Sequence, residues 1–349
     1  MNSPTIRDKI IGNPLYFPFK LFLDRRIGYI KISENTFKQS SFLDNRIVGS
    51  DRQLIFLDAL DFDIQLKKLT IQKQTDLIHI FHISHVGSTF VSKLLESTSE
   101  IKVLREPNIL RNFIREYSNL SNFSTEYKKY ELDSMLCGVI KSFLCGKESK
   151  VLIKHSSHNL NLPLRNMHIE NINQKEILLF TSLKNFLSHS ITSEGMRSDV
   201  AQSSSFRLDQ FNKICYSNFF KLDDLDYLQV VSIIWMLELA KILARKQSNK
   251  NALLINFDDG FTDNNKEETI NNIVKFTLDN DFQNFQSIIN SSDWFINPKN
   301  GREYSFKTRA DIIKSNKLSA STEIKRVSSW VENISNEEPF FLPLLKFIH

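Results

Sequence analysis

Cysteine, proline and glycine are all scarce in this sequence of 349 residues, which contains 3, 8 and 9 of them, respectively. So little glycine and proline excludes collagenous and low-complexity chains. The three cysteines, Cys137, Cys145 and Cys215, make neither a disulfide framework nor a Cys-x-x-Cys metal pair. We therefore expect free, buried or half-buried thiols, a reducing compartment such as the cytoplasm, and no bound metal.

Long apolar runs are also lacking. No stretch reaches the roughly 18 residues of a membrane-spanning helix, so we expect no membrane span. The first residues, MNSPTIRDKIIGNPLYF, have no apolar signal core. Lysine and arginine form no long run, and the net charge is only +5. This small surplus suits an anionic small molecule, and without an aromatic and basic motif we expect no binding of nucleic acid.

What the sequence does have is an alternation of short apolar strands with helices. The predicted strands of the main domain are Leu77–Ile83, Ile101–Leu104, Val151–Ile153, Ile177–Phe180 and Ala252–Phe257. Helices are predicted over Asp51–Leu69, after Thr89, from Pro107, after Phe180, and over Asp223–Lys246, Lys266–Leu278 and Ser319–Val331. This order predicts an α/β fold with a doubly wound parallel sheet flanked by helices.

The organisation along the chain predicts three parts. Residues 1–75 are interpreted as an N-terminal extension packed on the core, with a strand at Ile27–Ile32. Residues 76–290 form the α/β domain, in which we expect Trp235 to be a core residue. Residues 291–349, which include Trp294, Pro298 and Gly301, form a C-terminal cap.

The sharpest local signal is the loop SHVGST, Ser84–Thr89, which joins a buried strand directly to a helix. The backbone N–H groups at such a helix start can bind an anion, and Gly87 lets the backbone approach it closely. A capped turn without a ligand is the alternative. The candidate anion-binding residues are His85, Val86, Gly87, Ser88 and Thr89. Because the loop has no lysine and no G-x-x-x-x-G-K-[ST] pattern, a kinase or ATPase is disfavoured.

Several segments, in order, resemble the sulfotransferase superfamily. HISHVGSTFVSKLLESTSEIKVLREPNILR resembles its 5′-phosphosulfate loop, P-[KR]-[SG]-G-[ST]-[ST], in a bacterial form that ends in GST. ILLFTSLKNFLSHS resembles its 3′-phosphate segment, and ALLINFDDG, after the helix that contains Trp235, resembles its "Y-E-D-L" strand end. The resemblance covers residues 77–285. The chain departs from the pattern at Ser84 and His85, where the loop has proline and a basic residue, and at Thr181 or Ser182, where an arginine is usual.

The resemblance implies a P-loop-like sulfotransferase fold and the cofactor 3′-phosphoadenosine 5′-phosphosulfate (PAPS). The activity would be sulfuryl transfer to a hydroxyl or amine of a small-molecule, glycan or peptide acceptor. The departures favour an alternative, a catalytically impaired protein that acts as a nucleotide-binding or regulatory module. The sequence does not identify the acceptor or the oligomeric state, and residues 109–135 and 290–320 are the candidate acceptor pocket.

The resemblance also implies roles for polar residues that follow the strands, where ligands bind in open α/β sheets. Two bases compete, Glu106, nineteen residues after Gly87, and His155, in a segment similar to a "K-T-H" motif. Lys154 would contact the transferring sulfuryl group. The candidates for the 3′-phosphate are Lys184, Ser188, Ser190 and Arg197.

Overall fold

The computed structural model of the chain describes most of the sequence. The described residues are 10–13, 15–33, 36–37, 40, 42–47, 54–69, 71, 74–98, 101–120, 126–146, 148–164, 169–216, 219–279 and 306–349. Trp294, Pro298 and Gly301 of the expected cap lie outside them.

Strands and helices alternate through the middle of the described chain. The strands are β1 Tyr16–Leu21, β2 Ile27–Lys31, β3 Ile55–Leu57, β4 Thr75–His82, β5 Lys102–Arg105, β6 Lys150–Lys154, β7 Ile172–Phe180 and β8 Ala252–Asn256. The α-helices are α1 Ala59–Lys68, α2 Ser88–Glu96, α3 Asn108–Asn119, α4 Glu126–Phe143, α5 Leu183–Thr192, α6 Glu194–Asn212, α7 Tyr227–Ser248, α8 Phe257–Gly260, α9 Lys266–Leu278, α10 Phe306–Ser319 and α11 Ser321–Glu337.

The main sheet has five strands in the order β5-β6-β4-β7-β8. β4 pairs with β6 in parallel, and β6 pairs in parallel with β5. β4 is buried along nearly its whole length, as an apolar run without alternation requires when helices cover both faces of a sheet. The predicted α/β class with a parallel sheet flanked by helices is confirmed.

A second, antiparallel sheet near the N-terminus has the order β1-β2-β3. It confirms the strand expected at Ile27–Ile32 and corrects the helix expected over Asp51–Leu69, whose first residues, 51–53, lie outside the described chain. Ile55–Leu57 pairs with β2 instead. The helix starts only at Ala59, because the Asp58 carboxylate accepts from the Asp61 N–H at 2.8 Å and caps it.

Other boundaries move for local reasons. α7 begins at Tyr227 rather than near Asp223, because Asp226 and Gln229 form a reciprocal capping box. β7 begins at Ile172, five residues before the apolar run that predicted it. The helix expected near Ser319–Val331 runs over Ser321–Glu337, and α10 before it was not predicted.

Two compact units divide the chain. Unit 1 contains Met1–Ile80 and Val91–Glu176, and unit 2 contains Phe81–Phe90 and Ile177–His349. The antiparallel sheet, α3 and α4 belong to unit 1. α5 to α11 belong to unit 2, whose central helix is α7. The division into an extension, an α/β domain and a cap stays a prediction.

α7 is long and apolar enough to cross a membrane by length and composition, but 67% of its apolar window is buried inside the protein. Trp235 on this helix is fully buried and donates through Nε1 to the Thr181 carbonyl at 2.9 Å. α7 is therefore packed as a core helix, and the expectation that Trp235 is a core residue is confirmed. The three cysteines are free and half-buried, as expected.

Candidate functional site

The loop between β4 and α2 has the backbone of an anion-binding turn. His85 and Gly87, which flank Val86, both have a left-handed backbone conformation, with φ of 60° and 68°. Such alternation turns successive N–H groups toward one point, and the start of α2 at Ser88 adds the positive end of a helix. The N–H groups of Val86, Gly87 and Ser88 donate to no residue that the structure describes. The loop can therefore offer these amides to an anion.

Gly87 is required in this loop for space as well as for conformation. A Cβ at this position would lie 2.0 Å from the ring of Phe257, which follows β8. Any side chain would collide with the ring, and the left-handed φ would strain it further. Phe257 therefore covers one side of Gly87, while His85, Gly87 and Thr89 remain partly exposed.

The loop residues chosen from the sequence differ in where their side chains lie. Val86 is fully buried, and the Ser88 side chain is also buried, so both contribute mainly backbone groups. The imidazole of His85 lies 5.9 Å from that of His189 on α5, measured between ring centroids. Thr89 is half-buried in the first turn of α2.

Arg309 on α10 supplies a cation at this loop. Its side chain is 4% exposed, its Nη1 donates to the His85 carbonyl at 2.9 Å, and its Nε donates to Asp258 at 2.8 Å. The loop itself has no lysine or arginine, and the positive charge of Arg309 comes from a helix more than 200 positions later in the chain. Sequence reasoning missed Arg309 because no local pattern links α10 to the loop.

Asp258 holds Arg309 in place. Burial alone would raise the pKa of Asp258, but the Arg309 guanidinium and hydrogen bonds from Thr181 and Asn185 outweigh it and keep the pKa below its ordinary value. Thr181 donates to the second carboxylate oxygen. The carboxylate is therefore a fixed anion that orients Arg309. The sequence placed Asp258 at a strand end but gave it no role.

A cavity of about 460 Å³ lies beside these residues. It is lined by apolar side chains, among them Phe257, Phe261 and Ile313, and by polar ones, among them Asn185, Arg309 and Lys317. Phe257 and Arg309 also touch the loop, so the cavity adjoins it. A pocket of this size, mostly apolar with a few polar groups, is typical of a small-molecule or cofactor site.

Lys314 and Lys317 line this cavity and place further positive charge at it. Burial lowers the pKa of Lys317, Asp258 and Asp259 oppose that shift, and Lys184 adds to it by repulsion. Lys184, a residue chosen from the sequence, is therefore close enough to interact with Lys317. An anionic group between the two ammonium groups would relieve their repulsion.

The side chains of the other three residues proposed for a 3′-phosphate donate to backbone carbonyls. The hydroxyl of Ser188 donates to the Lys184 carbonyl at 2.6 Å, and that of Ser190 donates to the Leu187 carbonyl at 2.7 Å. Both serines are fully buried. Arg197 is exposed and donates to the Ile191 carbonyl. Neither these three residues nor Lys184 is among the described residues that line the cavity.

In unit 1, Glu106 and Lys154 form a buried ion pair where β5 and β6 end. Lys154 Nζ donates to one carboxylate oxygen of Glu106, and Arg111 donates to the other at 2.8 Å. Glu106 has a left-handed φ of 50°, and its N–H donates to the Lys154 carbonyl at 2.7 Å. Each carboxylate oxygen of Glu106 therefore accepts a hydrogen bond from a cationic side chain.

His155, the rival base, is fully buried and directly follows β6. Its Nε2 is 3.0 Å from Nδ1 of His79 on β4. An acceptor hydroxyl could reach this imidazole only after the strands moved. Of the two candidate bases, Glu106 is the more accessible, with 11% of its side chain exposed.

The candidate acceptor segments are only partly described. Residues 109–135 lie mainly in α3 and α4 of unit 1, with 121–125 outside the described chain. Of residues 290–320, those before 306 also lie outside it, and the rest form α10 and its C-terminal end. The part that is described, from Arg309 to Leu318, lines the cavity of unit 2.

Comparisons with known proteins give weak likenesses. No family model matches the chain, and no curated protein matches its sequence. Three solved structures that it resembles are a sulfotransferase domain from the curacin biosynthetic pathway (11% identity, 72% of this chain and 99% of that one, TM-score 0.36), one from the Synechococcus PCC 7002 olefin synthase (14%, 67% and 81%, 0.34), and mouse sulfotransferase SULT7A1 complexed with PAP (10%, 81% and 92%, 0.37). Likenesses with TM-scores this low do not by themselves assign the chain to a family.

Proposed function

We propose that this protein is a sulfotransferase that transfers a sulfuryl group from PAPS to a hydroxyl or amine acceptor. The observation that carries the proposal is the junction of an anion-binding loop with a nucleotide-sized cavity through two shared residues, Phe257 and Arg309. The ordered sequence motifs between residues 77 and 285 support the same reading.

The residues of unit 2 fit the cofactor in their chemistry. The amides of Val86, Gly87 and Ser88 would hold the 5′-phosphosulfate, which supplies the group that is transferred. The apolar wall at Phe257 and Phe261 would take the nucleoside, and Lys184 and Lys317 would hold its second phosphate. Fixed donors of this kind stabilise charge that develops on a leaving phosphate without reorganising during the reaction.

Calorimetry with 3′-phosphoadenosine 5′-phosphate (PAP) tests cofactor binding directly. We expect wild-type protein to bind PAP, and Lys317→Met to weaken binding by about tenfold to a hundredfold, since a lost charge-assisted hydrogen bond costs about 1.5–3 kcal/mol. Lys325→Met, on the exposed face of α11, is the matched control and should bind as the wild type does. If the wild type gives no heat of binding at high micromolar PAP, the proposal is wrong.

A second candidate function is a nucleotide-binding module without catalysis. It is favoured by Glu106, whose two oxygens accept from Lys154 and Arg111, and by the full burial of His155. A transfer assay separates the two functions. If Glu106→Ala binds PAP normally but no longer transfers the sulfuryl group, Glu106 is the base. If the wild type binds PAP but transfers no sulfuryl group to any acceptor in a cell extract, the result supports the nucleotide-binding module without catalysis.

A further inference from the structure

The first residue of the anion-binding loop, Ser84, is held by an acid on the core helix α7. The Ser84 N–H donates to Oε2 of Glu238 at 2.8 Å, and the Ser84 hydroxyl lies 3.4 Å from Oε1 of the same carboxylate. Glu238 is 2% exposed. The sequence pattern that this loop resembles has proline at this position, and proline has no N–H to donate.

A buried arginine keeps the Glu238 carboxylate in place. Arg207 on α6 contacts Glu238 Oε1 at 2.7 Å and donates to Asp199 at 3.1 Å, and its side chain is 3% exposed. Burial would lower the pKa of Arg207, but Glu238 and Asp199 raise it above its ordinary value. Asp199 also accepts from the Ser84 hydroxyl at 3.3 Å. Two helices thus converge on one loop residue.

This arrangement has a cost that a purely structural turn would avoid. Carboxylates beside an anion-binding loop repel the ligand, and buried acids need a partner to be tolerated. Arg207 offsets one of the two negative charges, and the half-buried Lys241, on α7 with Glu238, adds a second positive charge. What the acids provide is a fixed acceptor for the Ser84 amide at the point where the chain leaves β4.

We propose that Glu238, held by Arg207, is a positioning residue for the anion-binding loop. By accepting the Ser84 N–H it fixes the first peptide of the loop, so that the following amides, Val86 to Ser88, stay turned toward the ligand. Ser84 itself is then excluded from ligand binding, because its N–H and hydroxyl are both directed at acids. The proposal rests on the proposed function for the identity of the ligand, and the loop geometry can be tested without it.

Hydrogen–deuterium exchange tests the positioning without any ligand. In Glu238→Gln, which removes the charge that Arg207 holds, we expect the Ser84 amide, which donates to Glu238, to exchange at least tenfold faster than in the wild type. Peptides from α11 should be unchanged. Glu323→Gln, an exposed glutamate paired with Arg326, is the matched control and should leave the loop unaffected. Unchanged exchange of the Ser84 amide in Glu238→Gln would overturn the proposal.

Substitutions at Ser84 separate its two contacts. Ser84→Ala keeps the N–H and should retain PAP affinity within about threefold, whereas Ser84→Pro removes the N–H and should lower it at least tenfold. Equal affinities for the two variants would count against the role of Glu238. If Ser84→Pro fails to fold, the exchange result for Glu238→Gln decides. If the wild type binds no PAP but Glu238→Gln accelerates exchange of the Ser84 amide, the positioning role is supported and the sulfotransferase assignment is wrong.

Discussion

Two regions of the molecule follow parallel strands and carry charged side chains, but they are organised in opposite ways. In unit 2 the loop Ser84–Thr89 is held from outside, at the Ser84 amide by Glu238 and at the His85 carbonyl by Arg309, and the amides of Val86, Gly87 and Ser88 that follow donate to no described residue. In unit 1 the carboxylate of Glu106 forms ion pairs with Lys154 and Arg111. The supported loop leaves its backbone amides available to a ligand, whereas both carboxylate oxygens of Glu106 already accept from cationic side chains.

The largest expected effect comes from removing the outer support of the loop. Arg309→Met leaves Asp258 as a buried carboxylate without its cation, which should lower the free energy of unfolding by about 3–5 kcal/mol. Arg326→Met, which breaks an exposed pair with Asp226 and Glu323, should cost about 0–1 kcal/mol. Urea denaturation measures both. Equal losses would mean that Arg309 does not frame the loop.

The next effect comes from the glycine of the loop. Gly87→Ala should lower the free energy of unfolding by about 1–2 kcal/mol for the left-handed φ, and by about 1–3 kcal/mol for the collision with Phe257. PAP binding should be lost as well. Gly195→Ala is the control, since its Cβ would meet His85 at an ordinary 3.5 Å and alanine favours the helix by about 0.5–1 kcal/mol. Thermal unfolding measures the stability of both variants, and calorimetry measures their binding of PAP.

A smaller loss is expected in the closed cluster of unit 1. Glu106→Gln keeps an acceptor for the Lys154 ammonium but removes the opposite charge, and should lower the free energy of unfolding by about 1–3 kcal/mol. Glu131→Gln, whose partner Arg25 is more exposed, is the control. PAP affinity should not change in either. A loss of PAP affinity in Glu106→Gln alone would show that the cluster takes part in cofactor binding.

A pH dependence is expected from Lys241, which lies close to the acid that holds the loop. Burial lowers the pKa of Lys241 from 10.5 to about 8, Glu238 opposes the shift, and Arg207 adds to it. Gln210 accepts from its ammonium at 2.8 Å. Since the folded protein loses this proton more readily than the unfolded chain, stability should rise between about pH 8 and pH 10.5.

The variant Lys241→Met isolates the contribution of Lys241 to the pH dependence of stability. The variant should be more stable than the wild type below pH 8, and the difference should shrink as the pH rises toward 10.5. Denaturant titrations at several pH values measure it, and Lys213→Met, at an exposed position of the same unit, is the control. A difference that stays constant with pH would show that Lys241 keeps its ordinary pKa in the fold.

The sequence predicted those parts of the fold that depend on neighbouring residues. The run Leu77–Ile83 indicated a strand buried on both faces, and β4 is that strand. Lys266–Leu278 was predicted with the bounds that the structure has. The predicted helix boundaries are wrong where a helix cap or a pairing strand outweighs the periodic spacing of apolar residues. Asp58 starts α1 and β2 captures Ile55–Leu57, and neither event is visible in the spacing of apolar residues.

By itself, the sequence determined the parallel sheet and the position of Gly87, because a buried strand, a tight turn and a helix start are local features. Only the tertiary structure decided what surrounds the loop. Phe257, Arg309 and Glu238 lie about 150 to 225 positions away and carry no shared motif, and they reach the loop because packing brings their helices together. The same packing turned the hydroxyls of Ser188 and Ser190 into their own helix, since a buried hydroxyl must find an acceptor.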